Sequence, residues 1–254
     1  MQNIITNFGS GITVAGAVLI AQYIGAGEKE DARSMANQIF ACAMGFAVVC
    51  ATLCFLGTPA IVNWLGADGG TAYYARVYLR VVIWDMPFLY MVNIFSAVHQ
   101  AQGDTVRPMF LNLGGITLNL FLDPFFMIIL NLGTAGAALA TLLAKAIPAI
   151  VAFGLLCRQE NDICLNRKYM RLQKEKLGMI LKIGLPTAIG GSTMQLGFLL
   201  MSKNVFVYGT EAMAAYGIGN KVNGLITLPS NAIGSATATI VGPVSYTHLR
   251  AHET

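Results

Sequence analysis

The chain has 254 residues, of which 56% are hydrophobic and only 11% charged, and its formal net charge is +4 at pH 7. Soluble globular domains carry about 25% charged residues, so this composition excludes one and indicates an integral membrane protein. Most of the basic residues fall between apolar stretches, where they report topology, and a nucleic-acid partner is not expected.

Crossing a bilayer takes about 20 helical residues, and seven uncharged or nearly uncharged stretches recur at such lengths. In chain order they are Met1 to Gly27, Ser34 to Leu56, Tyr73 to Gln102, Met109 to Leu130, Thr134 to Cys157, Leu177 to Tyr208 and Ala212 to Gly242. The fourth and fifth are joined by the short turn Asn131-Leu132-Gly133. Gly and Ala are spread through all of them, which suits close helix packing in lipid and does not match the alternation of a β-barrel. The expected fold is therefore all-α, a polytopic transmembrane helical bundle of about seven spans.

The connections alternate in basic content. The first carries Lys29 and Arg33, the third Arg107, and the fifth Arg158, Arg167, Lys168, Arg171, Lys174 and Lys176. By the positive-inside rule these three are cytoplasmic, so the chain begins outside and ends inside, and 158–176 reads as a solvated linker. No basic region precedes the first stretch, and a cleaved signal peptide is not expected. The cysteines at 42, 50, 54, 157 and 164 lack CxxC spacing and are expected to be free packing residues.

Asp123 is the only charged residue between Met109 and Ala144. A carboxylate in a membrane-length apolar segment is costly, so by default it marks an ion or proton site. Asn119 lies four residues earlier and shares its helical face, so both can offer oxygens to one small cation. Pro124 follows at once and removes a backbone donor beside the carboxylate. The other reading of Asp123 is a neutral, hydrogen-bonded acid that stabilises a kink at Pro124.

Other polar residues inside the stretches carry open alternatives. Asp85, between Trp84 and Met86 and before Pro87, either lines a substrate path or pairs locally with Arg80. Lys145 follows Thr141 by one helical turn on the same face. It could pair with Asp123, replace a coupling cation, or snorkel toward the interface. His99, near the end of its stretch, is expected to be solvated. No cluster of metal ligands, no Ser, His and Asp set and no phosphate loop is legible before the tail, so neither an enzyme nor a cofactor is expected.

From Val244 the text changes character. Val-Ser-Tyr-Thr-His-Leu-Arg-Ala-His-Glu-Thr resembles a translated transposase sequencing adapter, so 243–254 is expected to be an artefact, and His248 and His252 are not taken as metal ligands. Just before it, Ile233 to Gly242 aligns with Ile12 to Ala21, matching Ala236 with Ala15 and Ala238 with Ala17. Such a partial repeat is expected of transporters built from related halves.

Several motifs spread along the chain carry a family resemblance. They are Gln22-Tyr23-Ile24-Gly25-Ala26-Gly27 with Ala32-Arg33, Gly103-Asp104-Thr105 with Pro108, Gly133 to Thr141, Ile183-Gly184-Leu185-Pro186, and Ala214-Ala215-Tyr216. In this order and spacing the chain resembles a multidrug and toxic compound extrusion (MATE) transporter. The resemblance implies a twelve-span, two-lobed protein of which this chain is similar to spans two to eight. It implies an N-terminal lobe at 1–157, a cytoplasmic inter-lobe linker at 158–176 and the start of a C-terminal lobe at 177–242, the remainder of the transporter lying outside the chain.

Asn119, Asp123 and Thr141 match positions where the DinF-like branch places its N-lobe cation site, with Na⁺ or H⁺ as coupling ion and no metal beyond a possible Na⁺ at Asp123. At Lys145 the family more often resembles Gln, and at Asp85 Gly. Lys221 matches a frequently basic position, and Gln195 follows Met194, where other branches look as though they carry Glu. These four are candidate substrate-path or modulating residues. The implied activity is export of organic cations across the inner (plasma) membrane, coupled to inward Na⁺ or H⁺ by alternating access. The alternatives are a lipid-linked oligosaccharide flippase of the same superfamily or an inactive truncated product.

Overall fold

The computed structural model describes residues 2–64, 76–77, 79–158, 163–165 and 173–253. Among the described residues there are seven long helices and no strand. They are α1 (Gln2–Gly25), α2 (Lys29–Trp64), α3 (Asp85–Ala101), α4 (Val106–Pro124), α5 (Gly133–Cys157), α6 (Lys174–Phe206) and α7 (Thr210–Glu253), with a π-helical turn at Phe125–Ile129 after α4. Each falls on one of the seven apolar stretches. Among the described residues, five helical segments are long and apolar enough to cross a membrane, and Gly9–Gly25 is a shorter apolar helix. Tyr73 to Ala75 of the third stretch and Arg167, Lys168 and Arg171 of the linker lie outside the described residues.

Helix ends follow local chemistry. α2 starts five residues before its apolar stretch because Glu30 and Asp31 fit its first turn, where the positive end of the helix dipole favours carboxylates. Between α3 and α4, Gly103 takes a left-handed φ of 84° and frees the chain to turn. The Asp104 carboxylate then accepts hydrogen bonds from the backbone N–H groups of Val106 and Arg107 at 3.0 and 3.2 Å, capping α4. α7 continues through Glu253, so the compositional change at Val244 does not end the helix. The side chains of residues 242–253 are outside the described set, and with them His248 and His252.

The core joins α1, α2 and α3 with the ends of α5 and α6, built from Ile20, Met35, Ile39, Ile94, Phe95, Leu156 and Ile180. Glycine sets the closest crossing: a Cβ on Gly11 would lie 2.5 Å from the Gly184 carbonyl oxygen. In lipid, where apolar burial alone does not draw helices together, such small-residue contacts let backbones pack directly.

The starts of α2, α4 and α6 occupy one end of the alternating bundle, and Lys29, Arg33, Arg107, Lys174 and Lys176 lie there. Lys176 Nζ binds Asp31 Oδ1 at 2.9 Å, and Asn37 donates to the Cys164 carbonyl at 3.2 Å. Ile163 and Cys164 are buried, so the described part of the linker packs on the bundle, unlike the solvated connection expected. His99 also departs from expectation. It is 2% exposed, hydrogen-bonded through Nδ1 to the Phe95 carbonyl and stacked on the Phe95 ring at 4.0 Å. A carbonyl one turn back on its own helix satisfies Nδ1 without water.

Candidate cation site and its ion pair

Two helix irregularities frame the polar residues. The helical run reaching α3 is interrupted at Ile83–Trp84. Pro87 has no N–H to give the Ile83 carbonyl, and that oxygen accepts from Met86 N at 3.3 Å instead. A new helix therefore begins at Asp85 in mid-span, which places its carboxylate in a first turn, at the positive end of a helix dipole. On α4, Pro124 is followed by the π turn, in which Leu130 N reaches the Phe125 carbonyl at 3.1 Å. The N-terminus of α5 abuts this turn so closely that a Cβ on Gly136 would sit 2.7 Å from the Phe126 carbonyl oxygen.

Between α3, α4 and α5 lies a cavity of about 270 Å³. Its polar lining comes from Asn112, Asn119, Thr141 and Lys145, its apolar lining from residues including Leu89, Val92 and Pro148. Asn119 Nδ2 donates to Asp123 Oδ1 at 3.3 Å, as the four-residue spacing anticipates. Thr141 donates its hydroxyl to the Ala137 carbonyl at 2.9 Å, and Asn112 Nδ2 donates to the Pro108 carbonyl at 2.9 Å. With those donors committed, the amide oxygens of Asn112 and Asn119 and the lone pairs of Thr141 Oγ1 remain as acceptors. The arrangement can coordinate a small cation or hold a proton at Asp123. Among the described residues no three His, Cys, Asp or Glu side chains group as metal ligands.

Lys145 makes a cross-helix contact, but with Asp85 and not with the Asp123 that the sequence offered. Its ammonium donates to Asp85 Oδ2, forming an ion pair between α5 and α3. The Asp85 carboxylate is fully buried, while the Lys145 side chain is 32% exposed and lines the cavity. The cation is thus the member of the pair that faces the open space. Arg80 places its guanidinium over the Phe55 ring, 5.7 Å from the centroid. Lys221 is exposed on α7 and Gln195 is half-buried on α6, and neither lines this cavity. Sequence reading missed Asn112, although it precedes Asn119 by seven residues and so shares its face.

The comparisons with known proteins agree with this architecture. Residues 1–125 match the MatE family model. Probable multidrug resistance protein NorM of Thermotoga maritima is 31% identical over 239 residues, covering 91% of this chain and 50% of that protein. Probable multidrug resistance protein YoeA of Bacillus subtilis is 24% identical over 242 residues, covering 92% of this chain and 52% of that protein. The solved structure of a MOP superfamily transporter from Pyrococcus furiosus superposes with a TM-score of 0.89 at 23% identity, covering 97% of this chain and 55% of that one. A chain of membrane-length helices with this topology is a polytopic bundle of the MATE fold. It belongs to the MatE family, and it spans about half the length of the curated relatives it matches.

Proposed function

We propose that this segment forms the ion-coupling part of a multi-pass exporter of drug-like organic cations in the inner (plasma) membrane, working by alternating access with Na⁺ or H⁺ moving inward. The relatives' names, multidrug resistance proteins, support the export class. The coupling role rests on one observation above the others. Asn119 joins Asp123 to a cavity whose remaining acceptors are Asn112, Asn119 and Thr141 oxygens. An intramembrane carboxylate that is either protonated or cation-bound has two electrostatic states, and a transporter can use that difference to bias two packings of its helices.

Ethidium efflux from cells expressing a family-length protein that contains this segment tests the reading. Asp123→Asn is expected to reduce gradient-driven efflux to background at unchanged expression. Undiminished efflux would remove Asp123 from coupling.

A further inference from the structure

The Lys145 ammonium holds one set of oxygen acceptors and lines a cavity with another. One is the Asp85 carboxylate, sealed from the surroundings in the first turn of α3. The other is the group of Asn112, Asn119 and Thr141 oxygens that lines the same cavity and leads through Asn119 to Asp123. Thr141 and Lys145 are one turn apart on one face of α5, so the lysine stem springs from beside the site. Lysine carries its charge on a flexible four-carbon stem with three rotatable donors, and the cavity supplies the space for the stem to move.

We propose that Lys145 is a tethered cation that exchanges between Asp85 and the Asn119, Asp123 and Thr141 site, so that Asp85 is the positioning residue that keeps this site available to an external cation. When the ammonium rests on Asp85, as it does in this structure, the oxygens around Asp123 face the cavity and accept a small cation. When it swings to Asp123, it fills that site from within. An external cation and the lysine then compete for one carboxylate, and the Asp85 charge sets the balance between them. A plain α3–α5 staple would hold the helices together without altering cation affinity at Asp123, which separates the two roles. The inference rests on the reading of Asp123 as a coupling site.

Equilibrium binding of ²²Na⁺ to the purified family-length protein tests it, with thermal unfolding in detergent run on every variant. Lys145→Gln removes the internal competitor and is expected to bind Na⁺ at least tenfold more tightly than the parent. Asp85→Asn frees the lysine for Asp123 and is expected to lose Na⁺ binding. The double variant D85N/K145Q is expected to recover the affinity of Lys145→Gln, because with the ammonium gone no internal competitor is left for Asp85 to hold. The proposal is overturned if Lys145→Gln leaves Na⁺ binding at the parental level or absent, or if the double variant binds as poorly as Asp85→Asn. If Asp85→Asn does not fold, the Lys145→Gln and double-variant arms still decide. Asp123→Asn separates the two failures: Na⁺ binding that survives it in both the parent and Lys145→Gln backgrounds refutes the coupling site itself, whatever the lysine does.

Discussion

α3 and α4 are neighbours of nearly equal length, and they bury their residues in opposite ways. Eleven of the seventeen residues of α3 are buried, including Asp85, Tyr90 and Phe95, whereas in α4 only Pro108 is. Phe110, Ile116, Leu120 and Phe121 of α4 are each more than 60% exposed. For a membrane protein such a face is matched to lipid, and its exposure carries no hydrophobic penalty. The difference teaches where fixed and adjustable parts lie. The acid on α3 is itself fixed in a packed core, while the acid on α4 stands on a helix held by few packed side chains, beside a proline and a π turn. A site whose occupancy must change belongs on the second kind of helix, since mobile elements come from the weakly packed end of the stability range.

That contrast can be broken most directly at Phe95. It is fully buried in the core, and Phe95→Ala is expected to cost about 3–5 kcal/mol, read as a marked fall in unfolding temperature in detergent. An unchanged temperature would mean that α3 is not the packed partner. Next in size is Gly136→Val on α5, whose added side chain meets the Phe126 carbonyl; a loss of about 1–3 kcal/mol is expected. A variant as stable as its parent would show slack between α5 and the π turn. Asn119→Ala removes the hydrogen bond to Asp123, and about 0.5–1.5 kcal/mol should go with it in chemical denaturation. A larger cost would place that helix face in the core after all. Phe121→Ala, on the exposed face of α4, should shift stability by no more than about 0.5 kcal/mol. A loss matching that of Phe95→Ala would erase the distinction.

How much of this was legible in the sequence depends on the range of each interaction. The helices were, because twenty or more apolar residues between charged connections leave a backbone in lipid few options besides helix. The Asn119 and Asp123 contact was too, since a four-residue spacing is a property of one helix. The Asp85 and Lys145 pair was not. Its members are 60 residues apart, and which faces of α3 and α5 meet is decided by packing between helices, to which periodicity within either is blind. The burial of His99 escaped for a related reason: its hydrogen-bond partner is the Phe95 carbonyl, a backbone group that every residue carries and no side-chain pattern reveals. The linker residues 163–165 read as solvated from the charges on either side, yet Asn37 of α2 holds them to the bundle.

The π turn at Phe125–Ile129 closes its ring with a five-residue step where an α-helix uses four. Each residue of an α-helix turns the chain by about 100°, so a helix carrying one surplus residue is out of phase by that angle across the surplus. Counted from the turn Asn131-Leu132-Gly133, the azimuth of Asp123 about its helix axis is therefore set by a single residue of backbone register. Removing one residue from Phe125–Ile129 would move the carboxylate to a different compass point while leaving every side chain of the site chemically intact.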